Sequence, residues 1–234
     1  MGSCCIDTIS RHASVRKYTG EPMPQEHIKI ILEAARRAPT AWNLMPVHVT
    51  AVVDPLKKAR AAEAVGGQDH VRESAVFLVF SLDYDKILRA ASRLGVQVAS
   101  KGLAHLVEGI IGLGIMAGWA GLAAESLGYG VTYIAVYSNP CGVRDAIGLP
   151  RELIPLVGIT IGRPAELPAP RARQEKVYSV DDKTPSLDER AEAVLKLYGE
   201  RAERFFRRVL SVEGYVGGVE KKVRECLREA GYNV

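Results

Sequence analysis

The sequence has few cysteines, and they show no pairing pattern. The four are Cys4, Cys5, Cys141 and Cys226. They form neither a Cys-x-x-Cys unit nor a Cys/His set with metal-ligand spacing, so we predict no metal site and no disulfide framework. Free thiols are typical of the cytosol. Because no charged segment followed by an apolar stretch marks a secretory signal, we expect a cytoplasmic protein.

Aromatic residues and excess charge are also scarce. Phe, Trp and Tyr make up 6% of the 234 residues, and the formal net charge is +4. A nucleic-acid binder typically concentrates Lys and Arg in one basic patch or stripe. The sequence lacks such a stripe with interleaved aromatic residues, so we predict no nucleic-acid partner. The small positive charge favours anionic small molecules.

One long apolar run extends from Gly102 to Ala124 and contains two polar residues, His105 and Glu108. Its length would suit a membrane span. The five glycines in the middle of the run would let another helix approach closely, and the two polar residues are unfavourable in a membrane. Both features favour a closely packed helix of a soluble protein, so we predict no membrane contact. His105 and Glu108 lie one helical turn apart. A metal site would need a third ligand, and a satisfied polar pair is the simpler interpretation.

Apolar periodicity and β-branched runs predict one domain in which helices and strands alternate. The predicted strands cover 47–53, 75–82, 131–137 and 156–162, and the predicted helices cover 25–37, 55–64, 103–127 and 140–147. This alternation alone favours an α/β sheet. Two further charged helical stretches follow, from Leu187 to Leu210 and from about Gly218 to Ala230.

The clearest chemical signal lies near the start of the chain. The segment from Arg11 to Arg16 brings together the imidazole of His12, the hydroxyl of Ser14 and the guanidinium of Arg16. All three can donate hydrogen bonds to phosphate oxygens. The segment therefore predicts one wall of a phosphate site, with a solvated helix end as the alternative.

Several motifs together resemble a known family. Ser14-Val15-Arg16, the helix Leu32–Arg36 and the loop Ala38-Pro39-Thr40 with Asn43 resemble the opening of the FMN-dependent nitroreductase family. Gly66-Gly67-Gln68-Asp69-His70-Val71 resembles its subgroup of NADPH-dependent, oxygen-insensitive nitroreductases and NADPH-flavin oxidoreductases. Later matches follow in the same order, at 124–130, 133–134, 145–150 and 158–164.

The resemblance implies an α+β fold. In this family a mixed, mostly antiparallel sheet is flanked by helices in a three-layer α/β/α sandwich of nitroreductase type, and two chains form an intertwined homodimer. By the same resemblance, residues 1–180 form the FMN-binding nitroreductase domain. Residues 181–234 form a C-terminal helical extension that embraces the partner subunit.

The resemblance also implies the chemistry. FMN is the expected cofactor and NADPH or NADH the electron donor. Hydride transfer by a two-electron ping-pong cycle would reduce nitroaromatics, quinones or free flavin. FMN N5 would carry the reaction, so no side chain is predicted to be catalytic. Two alternatives remain open. One is a specialised flavin enzyme with another acceptor, bound around Trp42, Tyr84 and Tyr215, and the other is a non-catalytic FMN carrier or regulator.

The site residues implied by the resemblance fall into three groups. The phosphate donors are His12, Ser14, Arg16, Arg171 and Arg173. The isoalloxazine contacts are Thr40, Asn43, Gln68, Tyr133, Ile134 and Ala135. The third group, Arg201, Arg204 and Arg208, either receives the 2′-phosphate of NADPH or forms a solvated helix face.

Some of these assignments have structural alternatives. Asn43 could simply cap a turn and Gln68 could be an exposed loop amide, and Arg163 could turn away into a salt bridge. Ala135-Val136 stand where the subgroup often has two glycines. Their side chains predict a narrower pocket beside the flavin.

Overall fold

The computed structural model describes residues 4–98, 101–175, 177–179, 184–211 and 213–234. Within these ranges the strands are β1 (Val47–Val52), β2 (Val76–Leu82), β3 (Gly130–Ile134) and β4 (Ile154–Gly162). The helices are α1 (Cys4–Ser10), α2 (Gln25–Arg36), α3 (Pro55–Ala64), α4 (Asp69–Glu73), α5 (Asp85–Arg93), α6 (Leu103–Ser126), α7 (Pro140–Ile147), α8 (Leu187–Tyr198), α9 (Ala202–Leu210) and α10 (Tyr215–Glu229). Each predicted strand and helix is present.

The four strands form one sheet in the order β1-β2-β4-β3, and each neighbouring pair is antiparallel. The α/β sheet favoured by alternation alone is therefore wrong, and the fold is α+β. In the sequence, α3 and α4 come between β1 and β2. They bring the chain back to the end of the sheet where β1 finishes, so the last residue of β1, Val52, pairs with Phe77 near the start of β2. A helical connection does not by itself force parallel pairing.

Strand β2 is buried on both faces of the sheet. Phe77 and Val79 join one apolar cluster, and Leu78 and Phe80 join another. Because successive side chains of a strand point to opposite faces, the two clusters lie on the two sides of the sheet. Helices α2 and α6 supply the cluster around Leu78, and α3 and α7 supply the cluster around Phe77.

Helix α6 packs closely on its surroundings through glycine. A Cβ at Gly109 would lie 2.7 Å from Cδ2 of Leu82, and a Cβ at Gly121 would collide with the hydroxyl of Tyr133. By length and composition α6 could cross a membrane, but Leu113 and Ala120 belong to the apolar core. Its outer face exposes five large apolar residues: Leu103, Val107, Ile110, Ile111 and Trp119.

Short-range capping explains where two of these helices begin. Asp54 accepts hydrogen bonds from the backbone N–H groups of Leu56 and Lys57 at 2.8 and 2.9 Å. The bond from Lys57 is the main cause of a lowered pKa of Asp54. Asn139 likewise accepts from the N–H of Gly142 at 3.3 Å. Both residues are of types that favour helix N-caps, and a proline follows each.

One disulfide joins α7 to α10. It links Cys141 and Cys226, whose Cα atoms are 5.5 Å apart and which are separated by 85 residues in the chain. The prediction that the cysteines form no disulfide is therefore wrong, and the free-thiol argument for the cytosol does not hold for this pair. The buried guanidinium of Arg144 on α7 also pairs with Glu229 on α10 at 3.1 Å. A covalent bond and an ion pair thus hold the end of α10 against α7.

The chain divides into two compact units. The first comprises residues 1–168 and 221–234, and the second comprises residues 169–220. The second unit contains α8 and α9, where the ring of Tyr198 stacks on Phe205 with centroids 4.4 Å apart. The predicted boundary between residues 180 and 181 lies outside the described residues.

Candidate functional site

The segment from His12 to Tyr18 runs beside β3 and is fixed through Val15. The N–H of Val15 donates to the carbonyl of Val131 at 2.9 Å. Its own carbonyl accepts from the hydroxyls of Tyr18, at 2.9 Å, and Thr132. Val15 is buried, whereas Ser14 is half-buried and Arg16 is exposed. The anchoring of Val15 leaves the two predicted phosphate donors on the accessible side of the segment.

His12 is held by a carboxylate on α6. Its Nδ1 lies 2.6 Å from Oε1 of Glu125, and the imidazole is 24% exposed. An ionised carboxylate only accepts hydrogen bonds, so Nδ1 carries the proton. The other ring nitrogen, Nε2, points away from this carboxylate and can donate to a phosphate oxygen only when both ring nitrogens carry protons. Glu125 lies within the 124–130 motif, and its contact with His12 could not be predicted from the sequence.

His70 is a functional candidate that the sequence reasoning missed. Burial lowers its pKa, and the positive charge of Arg16 lowers it further. Nε2 of His70 is buried and has no hydrogen-bond partner among the described residues. The signal available in the sequence was its place in the Gly66–Val71 motif, two residues after Gln68.

Gln68 uses part of its amide locally. Its Nε2 donates to the carbonyl of Val65 at 2.9 Å, and the side chain is half-buried. The predicted alternative, an exposed loop amide, is therefore wrong, because the side chain is half-buried and its nitrogen is bonded to the preceding turn. The positive φ of Gly66 and Gly67, 91° and 74°, allows this tight turn before α4. The amide oxygen remains as a possible acceptor.

The loop between α2 and β1 has an unusual backbone. Trp42, Asn43 and Met45 have positive φ values of 53°, 56° and 46°. Such conformations in residues other than glycine cost roughly 1–3 kcal/mol each and occur preferentially at functional sites. The hydroxyl oxygen of Thr40 accepts from the N–H of Met45 at 3.1 Å, which leaves its proton free to donate. Asn43 is exposed, and Trp42 is 88% exposed.

At the end of β3, mainly backbone groups are available to a ligand. Ile134 is buried in the apolar core, so its side chain faces away from any ligand site. Ala135 is half-buried and follows the strand directly. The Tyr133 hydroxyl donates to the carbonyl of Ala117 on α6 at 3.2 Å. Burial, and then the charge of Glu125, raise the pKa of Tyr133 to about 12.

The remaining predicted residues lie in the second unit. All five are exposed: Arg171, Arg173, Arg201, Arg204 and Arg208. Their grouping with the donors near His12, or with a nicotinamide cofactor, stays a prediction. Arg163, in the first unit, forms a salt bridge with Glu21 at 3.0 Å. The alternative predicted for Arg163 is thus confirmed.

His105 and Glu108 do not form the expected satisfied polar pair. Oε2 of Glu108 accepts from the hydroxyl of Tyr84 at 2.5 Å, whereas its Oε1 is buried without a partner among the described residues. Nδ1 of His105 instead accepts from the N–H of Gly102 at 3.4 Å. Tyr84 contacts both residues: its ring packs edge-on against His105, and its hydroxyl donates to Glu108. Because Tyr84 is distant from both in the sequence, helical spacing could not reveal these contacts. In the described part of the chain, no three His, Cys, Asp or Glu residues cluster as metal ligands would.

Comparison with known proteins shows which family the chain belongs to. The family model described as the nitroreductase family matches residues 9–163. The chain belongs to the nitroreductase family. This confirms the resemblance seen in the sequence motifs.

Individual members of the family resemble the chain over most of its length. An FMN reductase [NAD(P)H] from Bacillus subtilis is 37% identical over 177 residues, covering 74% of this chain and 71% of the relative. An oxygen-insensitive NADPH nitroreductase from Salmonella typhimurium is 31% identical over 204 residues, covering 86% and 82%. The solved structure of the hypothetical oxidoreductase YcnD from Bacillus subtilis has a TM-score of 0.85 at 28% identity, covering 100% of this chain and 99% of that one.

Proposed function

We propose that this member of the nitroreductase family is an NAD(P)H-dependent FMN oxidoreductase that reduces nitroaromatics, quinones or free flavin. The names of its relatives, an FMN reductase [NAD(P)H] and an NADPH nitroreductase, support the cofactor and the electron donor. When bound, FMN supplies the two-electron chemistry, in a ping-pong cycle between donor and acceptor.

The observation that carries the proposal is the way Val15 holds the segment from His12 to Arg16. Its N–H donates to the carbonyl of Val131 at 2.9 Å, so the buried Val15 leaves Ser14 and Arg16 on the accessible side of the segment. A phosphate group could accept hydrogen bonds from both side chains. The charge of Arg16 also lowers the pKa of His70, and a phosphate would offset that charge. The donor set therefore fits the phosphate of FMN.

The other residues divide between the two ends of the cofactor. We assign His12 Nε2 and the Ser14 hydroxyl to the phosphate, with Arg171 and Arg173 of the second unit as further donors. We assign the Thr40 hydroxyl, the Asn43 amide and the free oxygen of Gln68 to the ring system. We also assign Tyr133, Ile134 and Ala135 to the ring system. Ile134 and Ala135 would contact it through their backbone groups. The exposed Arg201, Arg204 and Arg208 would receive the 2′-phosphate of NADPH.

We also propose the assembly that the family resemblance implies. An intertwined homodimer would cover the exposed apolar face of α6, which includes Val107, Ile110 and Trp119. Apolar clusters on both faces of the sheet support the three-layer α/β/α sandwich. A cytoplasmic location would give the enzyme access to NAD(P)H.

The first experiment is an absorbance spectrum of the purified protein in the flavin region, repeated anaerobically after adding NADPH and then NADH. We expect flavin bands that bleach with at least one nucleotide. Flavin bands that neither nucleotide bleaches would indicate a carrier rather than an enzyme. A colourless protein that cannot be reconstituted with FMN would refute the proposal.

A further inference from the structure

The two cysteines of the disulfide between α7 and α10 differ in their access to solvent. Cys226 is completely buried, with 0% of its surface exposed, whereas Cys141 is half-buried. A thiolate breaks a disulfide by attacking one of its two sulfurs, so access decides which sulfur is attacked. Of the two cysteines, Cys141 is therefore the one that a thiolate from solution can attack.

The guanidinium of Arg144 lies beside the sulfur of Cys226. Nη1 of Arg144 is 4.0 Å from Sγ of Cys226, and both residues are buried. When a thiolate attacks Cys141, the sulfur that departs is that of Cys226, and negative charge develops on it. A positive charge at this distance stabilises the departing sulfur, and it does so more strongly in buried surroundings than in water.

Two carboxylates balance part of the charge of Arg144. Its Nη2 donates to Oε2 of Glu229 and its Nε donates to Asp145, each at 3.1 Å. Nη1, which faces the sulfur, donates to the carbonyl of Arg151 at 3.5 Å. The same Oε2 of Glu229 lies 3.3 Å from Sγ of Cys141, where its charge repels an approaching thiolate. Arg144 and Glu229 should therefore affect thiol exchange in opposite directions.

We propose that Cys141 is a site of reversible thiolation by small thiols, and that Arg144 promotes the reaction by stabilising the departing sulfur of Cys226. The sulfur of the incoming thiolate forms a bond to Sγ of Cys141 while the bond between Cys141 and Cys226 breaks. The electron pair of the broken bond stays on Sγ of Cys226, so the incoming sulfur is oxidised and Cys226 is reduced. Attack of the Cys226 thiolate on Cys141 reverses the step and releases the small thiolate.

Exchange with 2-mercaptoethanol tests which sulfur is attacked. The folded, full-length protein is incubated anaerobically in a buffer of 2-mercaptoethanol and its disulfide, quenched with acid at early times, and mapped by peptide mass spectrometry. We expect the 2-mercaptoethanol adduct on Cys141 and a thiol on Cys226. Adducts spread evenly over both cysteines, or no adduct below the urea concentrations that unfold the protein, would overturn the inference.

Three variants and a control separate the electrostatic role of Arg144 from a structural one. Arg144→Met removes the positive charge, and we expect exchange to be about three- to tenfold slower, because part of the negative charge has developed on the departing sulfur when the bond breaks. Arg144→Lys keeps a positive charge and should recover much of the rate. Glu229→Gln removes the carboxylate beside Cys141 and should exchange faster than the wild type. Arg60→Met, at an exposed position on α3, should keep the wild-type rate.

The direction of the two effects distinguishes the possible roles. If Arg144 and Glu229 serve only to hold α10 against α7, each substitution loosens this contact, and both variants should exchange faster than the wild type. Equal or faster exchange in Arg144→Met would therefore overturn the role of Arg144. The adduct map of the wild type requires no variant, so it tests Cys141 whether or not Arg144→Met folds. Neither readout involves FMN, so the inference and the proposed function can fail separately.

Discussion

Nδ1 of His12 lies 2.6 Å from Oε1 of Glu125, and this contact connects the phosphate-donor segment to the C-terminal turn of α6. The carboxylate fixes the orientation of the imidazole. In the proposed phosphate site, Glu125 is thus a positioning residue that acts through His12.

Replacing Glu125 should weaken FMN binding without removing the rest of the site. In Glu125→Leu the imidazole is free to rotate, and we expect the Kd for FMN to rise about tenfold, by the loss of one oriented charge-assisted donor. Glu125→Gln can still accept from Nδ1 and should have a smaller effect. Quenching of flavin fluorescence measures the Kd. Ser126→Ala is the neighbouring control, since its hydroxyl bonds only to the Leu122 carbonyl.

The phosphate assignment depends on two arginines that are distant in the sequence, Arg16 and Arg173. Arg16→Ala and Arg173→Ala should each raise the Kd for FMN by roughly ten- to a hundredfold, the value of a charge-assisted hydrogen bond. Lys17→Ala is the matched control, because Lys17 forms an exposed ion pair with Glu166. If both arginine variants retain one FMN per chain after dialysis, the assignment is wrong.

His70 should report the charge of Arg16 directly. Its pKa lies below the usual 6.5, through burial and through Arg16. Arg16→Ala removes the repelling charge, so NMR titration of the imidazole should show a higher pKa than in the wild type. Bound FMN should also raise it, because the phosphate favours the imidazolium. If neither Arg16→Ala nor bound FMN changes the pKa of His70, then Arg16 and His70 do not share a phosphate.

The imidazole of His70 also makes the free energy of unfolding depend on pH. Because the folded pKa of His70 is lowered, the unfolded chain binds more protons as the pH falls below about 6.5. The free energy of unfolding should therefore decrease with falling pH in this window, and level off below the folded pKa. Urea denaturation across the window measures the slope. His70→Asn should reduce it, whereas an equal slope in this variant would assign the effect to other groups.

The disulfide should contribute strongly to stability. It closes a loop of 85 residues, for which the chain-entropy model gives about 4–5 kcal/mol. We expect Cys141→Ser to lower the free energy of unfolding by about this amount. Cys5→Ser is the control, because Cys5 is exposed and free. An unchanged urea midpoint in the presence of dithiothreitol would contradict the expectation.

The exposed face of α6 should determine the oligomeric state. We expect the wild type to elute as the proposed dimer and Ile110→Asp to shift it toward monomer in size-exclusion chromatography with light scattering, because a charge would replace apolar surface at the proposed interface. Leu56→Asp on α3 is the control; Leu56 is 72% exposed, compared with 44% for Ile110. A dimer that persists in Ile110→Asp would place the interface elsewhere.

The elements of the fold could be predicted from the sequence. The long apolar run located α6, the β-branched run located β1, and Pro55 and Pro140 mark the first turns of α3 and α7. These signals act over a few residues, so they can be read along the chain. The family membership could be predicted as well, because short motifs such as Gly66–Val71 keep their order.

Contacts between residues that are distant in the sequence depend on the folded chain. Glu125 meets His12 across 113 positions, Cys226 meets Cys141 across 85, and Tyr84 meets Glu108 across 24. Such contacts follow from the packing of helices on an antiparallel sheet, where burial and hydrogen bonding select partners irrespective of their spacing. The half-satisfied carboxylate of Glu108 is a property of that packing, which no local pattern encodes.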